Sequence, residues 1–148
     1  MKESFDTIIV DQEGDITWIT LNRPEVANAF NTRMAEELFG VFSEFLSGVR
    51  ITRCVILTGT GERAFCAGGD LKQRHGMTDD EWYIQHVVFE DLARALMDCP
   101  VPILGAINGA AYAARTELTQ ACAFAYAAKH ARVAQTETTL GILPAISG

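Results

Sequence analysis

The chain has 148 residues, 49% of them aliphatic, aromatic or cysteine and 21% charged, a balance that suits one globular domain with a buried core and excludes a disordered segment. A formal net charge of −7 repels a phosphate backbone, so nucleic acid is excluded as a partner. No apolar run reaches the length of a membrane span and Met1-Lys2-Glu3-Ser4-Phe5-Asp6 lacks the apolar core of a secretory leader, so no membrane partner and a cytoplasmic location are expected.

In chain order, Thr7 to Val10 and Ile16 to Leu21 read as two strands, and Asp11-Gln12-Glu13-Gly14-Asp15 between them as a polar hairpin loop. Asn31 or Thr32 caps a helix in which Met34, Leu38, Val41, Phe42, Phe45, Leu46 and Val49 recur at spacings of three and four. Gly48 marks its end. Cys54-Val55-Ile56-Leu57 has the look of a buried strand. Thr78-Asp79-Asp80-Glu81 reads as a capping box that opens a helix to about Asp98, burying Val88, Leu92, Ala95, Leu96 and Trp82 before Pro100 and Pro102 stop it. A strand at Ile103 to Ile107, a turn at Asn108-Gly109, an alanine-rich helix from Ala113 to Ala128 and a short strand near Arg132 to Gln135 follow. Twice, a strand, a small-residue turn and a helix succeed one another, an α/β pattern within one domain covering residues 1–148.

The cysteines Cys54, Cys66, Cys99 and Cys122 are widely spaced, with no C-x-x-C pair and no histidine at ligand spacing. They read as small apolar residues in a reducing compartment, and no metal site is expected.

The stretch Thr58 to Lys72, TGTGERAFCAGGDLK, follows the Cys54 strand and sets glycines and alanines before an acid and a leucine. Small residues leave main-chain N–H groups uncovered, and a turn that enters a helix points such groups at an anion or a developing oxyanion. Asp70 caps the helix that begins there. Farther on, Glu117 stands about one turn into the alanine-rich helix, either as a solvated charge at the positive end of the dipole or as a site acid. Glu137 is either an ordinary loop acid or a second one.

Ala64-Phe65-Cys66-Ala67-Gly68-Gly69-Asp70-Leu71 resembles the oxyanion-hole signature of the crotonase family, the enoyl-CoA hydratases and isomerases. Asn22-Arg23-Pro24-Glu25 followed by Asn28-Ala29-Phe30-Asn31 is similar to that family's early segment, and Pro102 to Leu118 to its second signature. The resemblance implies a crotonase-like spiral of ββα units, incomplete at the carboxyl end, and an enoyl-CoA hydratase-like lyase that adds water across C2=C3 of a 2-enoyl-CoA. It implies Glu117 and Glu137, twenty residues apart with Gln135 and Gly141 in context, as the acid–base pair. The oxyanion donors it implies are the N–H groups of Gly69 and Ala114. It lays the CoA substrate along Val26, Ala27, Ala67, Gly69, Asp70, Leu71, Lys72 and Ala114, with Lys72 and Arg23 as cations for its phosphates. The resemblance requires no separate cofactor, because CoA arrives as part of the substrate, and the family's habit is a homotrimer or a dimer of trimers.

The chemistry accounts for two acids. Hydration needs a base for the attacking water and an acid to protonate C2, and the thioester oxygen carries enolate charge between the two steps. Three features depart from the family's pattern: Ala113-Ala114-Arg115 where it writes glycines, Ala123 where it writes an acid, and Ala145-Ile146-Ser147-Gly148 where it writes a glycine-rich run. They leave an acyl-CoA-binding protein without turnover, or an isomerase or hydrolase, as alternative readings.

Overall fold

The computed structural model describes residues 2–112, 118–119 and 121–134. Their elements are β1 (Lys2–Ser4), β2 (Ile8–Glu13), β3 (Ile16–Leu21), a 3-10 turn (Pro24–Val26), α1 (Thr32–Leu46), β4 (Cys54–Gly59), β5 (Ala64–Cys66), α2 (Leu71–His75), α3 (Asp79–Met97), β6 (Ile103–Ile107), β7 (Ala110–Tyr112), β8 (Phe124–Ala127) and β9 (Val133–Ala134).

One sheet runs in the order β1-β2-β3-β4-β6-β8 and a second in the order β5-β7-β9. β1, β2 and β3 pair antiparallel; every later pairing in both sheets is parallel. From β4 onward each strand of the large sheet leads into a strand of the small one, β4 into β5, β6 into β7 and β8 into β9, so the chain advances one strand in both sheets with each turn. This is the α/β spiral that the sequence led us to expect.

Burial along the strands follows the two-residue period of the pleat. Ile19 and Leu21 of β3, Val55 and Leu57 of β4, and Ile103 and Ile107 of β6 face one core, while Thr20, Ile56, Leu104 and Ala106 are less buried. The Cys54 strand is therefore half-buried rather than buried on both faces. Against this core lie Met34, Leu38, Val41, Phe42 and Phe45 of α1 and Phe89, Leu92, Ala95 and Leu96 of α3. Phe30 meets Phe89 edge-on with ring centroids 5.3 Å apart, a favoured aromatic geometry. Asn31 caps α1 by accepting from Met34 N–H at 2.9 Å, and Thr78 and Glu81 form both bonds of the capping box on α3.

Several expectations are corrected. The alanine-rich helix does not reach Ala128: Phe124–Ala127 is β8, paired in parallel with Leu104 to Ile107. Alanine suits either state, and the open edge of β6 offers backbone partners that decide the matter; Ala123 N–H donates to Ile103 O and Ala128 N–H to Ile107 O, both at 2.8 Å. The hairpin loop is only Gly14-Asp15, with Gly14 at φ +58°, because Glu13 already pairs with Ile16. Trp82 is exposed and stacks on His86 one turn on, and Leu46 and Val49 also face outward, since α1 ends at Leu46 and Gly48 turns the chain at φ +73°. Strands β1, β5 and β7 were not foreseen.

Candidate active site

Pro24 at the first position of the 3-10 turn fixes its start, and the turn runs out into two consecutive non-glycine residues in the left-handed region, Ala27 at φ +53° and Asn28 at φ +54°. Each costs about 1–2 kcal/mol for an L-residue, less for asparagine, so something must hold them. The Asn28 side chain does. Fully buried, it accepts from Arg23 N–H at 2.9 Å through Oδ1 and donates through Nδ2 to the carbonyls of Thr60 at 3.1 Å and Ala64 at 2.9 Å. One amide thereby ties the segment at 23–30 to both ends of the loop that leaves β4.

Gly59, where that loop begins, has no room for a side chain: a Cβ would lie 2.3 Å from Phe65 O and 2.9 Å from Asn28 Nδ2. At the corner between β6 and β7, a Cβ on Gly109 would lie 2.7 Å from Ala64 N. Close backbone crossings at both glycines bring the small sheet against the large one.

The segment at 67–70 is laddered onto 27–30. Ala67 N–H donates to Ala27 O at 2.8 Å, Phe30 N–H to Gly68 O at 2.7 Å and Asp70 N–H to Phe30 O at 2.8 Å. The last two bonds bracket Gly69, making it the parallel partner of Phe30. In such a pairing the bracketed residue directs its own N–H and C=O to the opposite side. Among the described residues Gly69 N–H meets no acceptor, and a Cβ on Gly69 would meet nothing within 4 Å. A half-buried N–H with no acceptor among the described residues, on a residue whose Cβ side is open, is a donor available to a ligand oxygen. Gly68, at φ +111°, supplies the turn that puts it there.

Asp70 caps α2 through Oδ1, accepting from Lys72 N–H and Gln73 N–H at 3.2 Å each, and receives Arg23 Nη1 on Oδ2 at 3.0 Å. Burial opposes its ionisation and is the largest single influence, but the Arg23 hydrogen bond, the Gln73 N–H, the Arg23 charge and the Lys72 N–H together hold its pKa below the ordinary 3.8. Arg23 Nη1 also donates to Ala29 O at 2.7 Å, and only 17% of the Arg23 side chain is exposed. Arg23, expected as a phosphate cation, is thus engaged with Asp70; Lys72 is exposed. A buried Gln85 on α3 donates to Thr32 Oγ1 at 2.7 Å and to Gln73 Oε1 at 3.2 Å, and Gln73 Oε1 in turn accepts from Thr32 N–H at 3.0 Å. This network fastens α2 to the start of α1.

Of the residues expected at the site, Val26, Ala27, Ala67, Gly69, Asp70, Leu71 and Lys72 come together where the segments at 23–30 and 67–72 meet. Ala114, Glu117 and Glu137, with Ala113, Arg115, Gln135 and Gly141, lie outside the described residues. Sequence reasoning assigned no role to Asn28, Phe30, Gln73 or Gln85; the one local signal was asparagine's tolerance of positive φ. Away from this seam, an open cleft of about 340 Å³ between the end of α3 and the start of β6 is lined by Leu96, Pro100, Val101, Cys99 and Cys122 among others. Burial raises both thiols, that of Cys122 to about 11, so they behave there as apolar groups.

The sequence matches the enoyl-CoA hydratase/isomerase family over residues 11–148. It is 43% identical over 131 residues to a Bacillus subtilis protein whose name places it with the enoyl-CoA hydratases/isomerases, covering 88% of this chain and 50% of that protein. To the short-chain-enoyl-CoA hydratase of Clostridium acetobutylicum it is 32% identical, covering 97% of this chain and 54% of that protein. The crystal structure of an enoyl-CoA hydratase from Bacillus anthracis superposes with a TM-score of 0.88 at 39% identity, covering 95% of this chain and 55% of that one. The chain spans about half the length of the curated relatives it matches.

Proposed function

The chain belongs to the enoyl-CoA hydratase/isomerase family, and we propose that the protein hydrates the C2=C3 double bond of a 2-enoyl-CoA thioester. The observation that carries this reading is the Gly69 N–H, bracketed by the two Phe30 bonds and without an acceptor among the described residues. A thioester oxygen that becomes an enolate needs such a donor already in place, because its stabilisation then costs no reorganisation as charge develops. Gly69 supplies one donor and Ala114 N–H the second. Glu137 and Glu117 share the proton work, one carboxylate taking a proton from the water that attacks C3 and one carboxyl group delivering a proton to C2.

The substrate lies along Val26, Ala27, Ala67, Gly69, Asp70, Leu71, Lys72 and Ala114. CoA enters as part of the substrate and the reaction uses no further cofactor. The exposed Leu71 and Lys72 offer an apolar contact and a cation beside Gly69, as a pantetheine arm with nearby phosphates requires. The kinship to a short-chain-enoyl-CoA hydratase supports a short acyl group. We assign the protein to a homo-oligomer on its resemblance to the family, and to the cytoplasm.

The test is hydration of a short 2-enoyl-CoA by the full protein, followed as loss of the conjugated thioester's ultraviolet absorbance, with E117Q and E137Q alongside. Each variant should lose about 10²–10⁴-fold in kcat without unfolding. Full activity in E137Q refutes the two-glutamate mechanism, and a folded wild type that binds CoA thioesters without turnover favours the silent reading that Arg115 and Ala123 suggest.

A further inference from the structure

We propose that Arg23 and Asp70 form a positioning pair that sets the direction of the Gly69 N–H, and that Arg23 does not bind substrate phosphates. The proposal rests on the reading of Gly69 as a donor to a thioester oxygen. The Gly69 N–H shares its peptide plane with Gly68 O, which accepts from Phe30 N–H at 2.7 Å, and Asp70 carries the peptide plane on the other side of Gly69, so anchoring Asp70 limits how far Gly69 can turn that first plane through its φ and ψ. Three groups fix Asp70. Its N–H is bound to Phe30 O at 2.8 Å, its Oδ1 accepts from the first turn of α2, and its Oδ2 is bound to Arg23 Nη1 at 3.0 Å.

The same Arg23 nitrogen donates to Ala29 O at 2.7 Å, and the Arg23 main chain is held through its N–H by Asn28 Oδ1 and through its carbonyl by Asn28 N–H at 2.8 Å. The guanidinium therefore links the two chain segments whose ladder brackets Gly69, at the end where the ladder stops. Phe30 has only two bonds to the loop, one to each side of Gly69, and these leave rotation about the ladder axis to be limited from outside it. Arg23 and Asp70 supply that limit. Their side chains are 17% and 15% exposed, so the pair is largely withdrawn from solvent and its geometry is less diluted by water than a surface ion pair. Arg23 Nη1 is spent on Asp70 and the Ala29 carbonyl, and the burial of the side chain leaves its other donors little access to a diphosphate.

The experiment uses the full protein with R23Q, D70N and the double variant, and a non-turning acyl-CoA thioester labelled with ¹³C at the carbonyl. Binding to wild type should lower the carbonyl stretching frequency, as a polarising donor requires. In R23Q and D70N that shift should be at least half lost while the Kd changes by about threefold or less, and kcat should fall about tenfold or more with KM nearly unchanged. The double variant should lose no more than the worse single one, since both remove one device. A rise in Kd and KM for R23Q with the carbonyl shift and kcat intact makes Arg23 a phosphate ligand and overturns the proposal. A lowered Tm with the shift and kcat intact makes the pair merely structural and also overturns it. A wild type that binds no thioester overturns the acyl-CoA reading itself. Should R23Q fail to fold, R23K carries the same readouts, with a smaller loss expected because one cation still reaches Asp70.

Discussion

Asn28 Nδ2 donates to Ala64 O at 2.9 Å across 36 positions of sequence, and this bond joins the left-handed corner after Pro24 to the strand that delivers the Gly-Gly-Asp loop. The Asn28 side chain is wholly buried and makes three hydrogen bonds, so its loss strands a main-chain N–H and two carbonyls. N28A should destabilise the protein by about 2–4 kcal/mol, measured by urea unfolding. N28G loses the same bonds but relieves the positive φ, and should recover about 1 kcal/mol of that loss. Equal stabilities for the two variants would show that the backbone conformation carries no cost there.

Gly59 and Gly69 make opposite demands. A methyl at Gly59 would sit 2.3 Å from Phe65 O, and the opposing atom is backbone, whereas one at Gly69 meets nothing within 4 Å. Thermal unfolding should show G59A destabilised by about 3 kcal/mol or more and G69A by about 1 kcal/mol or less. A tolerant Gly59 would mean that β4 and β5 cross less closely.

Asp70 ties stability to pH. Its folded pKa lies below the ordinary 3.8, so the ionised carboxylate's contribution is fully present above that pH and vanishes as the pH falls through the folded value. The stability difference between wild type and D70N should be constant from neutrality to about pH 5 and shrink below about pH 4. A difference that does not shrink in acid would assign the loss in D70N to packing instead of charge.

Glu37 of α1, a buried carboxylate, accepts from Thr7 N–H at 3.0 Å, Thr7 Oγ1 at 2.6 Å and Asp6 N–H at 3.0 Å. It anchors the entry to β2 on α1. E37A should cost about 2–3 kcal/mol in chemical denaturation, far more than the neighbouring exposed E36A, because it leaves buried donors unpaired.

What proved legible in the sequence was local. The α1 stripe, the Thr78–Glu81 box and the Asp70 cap each depend on residues within a turn or two of one another, and each stands as read save that the stripe stops at Phe45, with Leu46 and Val49 exposed. The reading failed where no local rule applies. Phe124 and Ala128 keep helical spacing with Ala121, yet the backbone edge of β6, some twenty residues earlier in the chain, draws Phe124–Ala127 into a strand.

The sequence by itself determined the family, through contiguous strings such as Ala64 to Leu71, and the α/β alternation, through periodicity. Only the tertiary structure decided which way the Gly69 N–H points, that Arg23 is spent on Asp70, and that Asn28 holds a strained corner. The reason is physical. Those facts are hydrogen bonds between groups 32 to 47 positions apart, and a hydrogen bond acts over about 3 Å with a required angle, so its partners are set by how the two sheets cross and not by the order of residues along the chain.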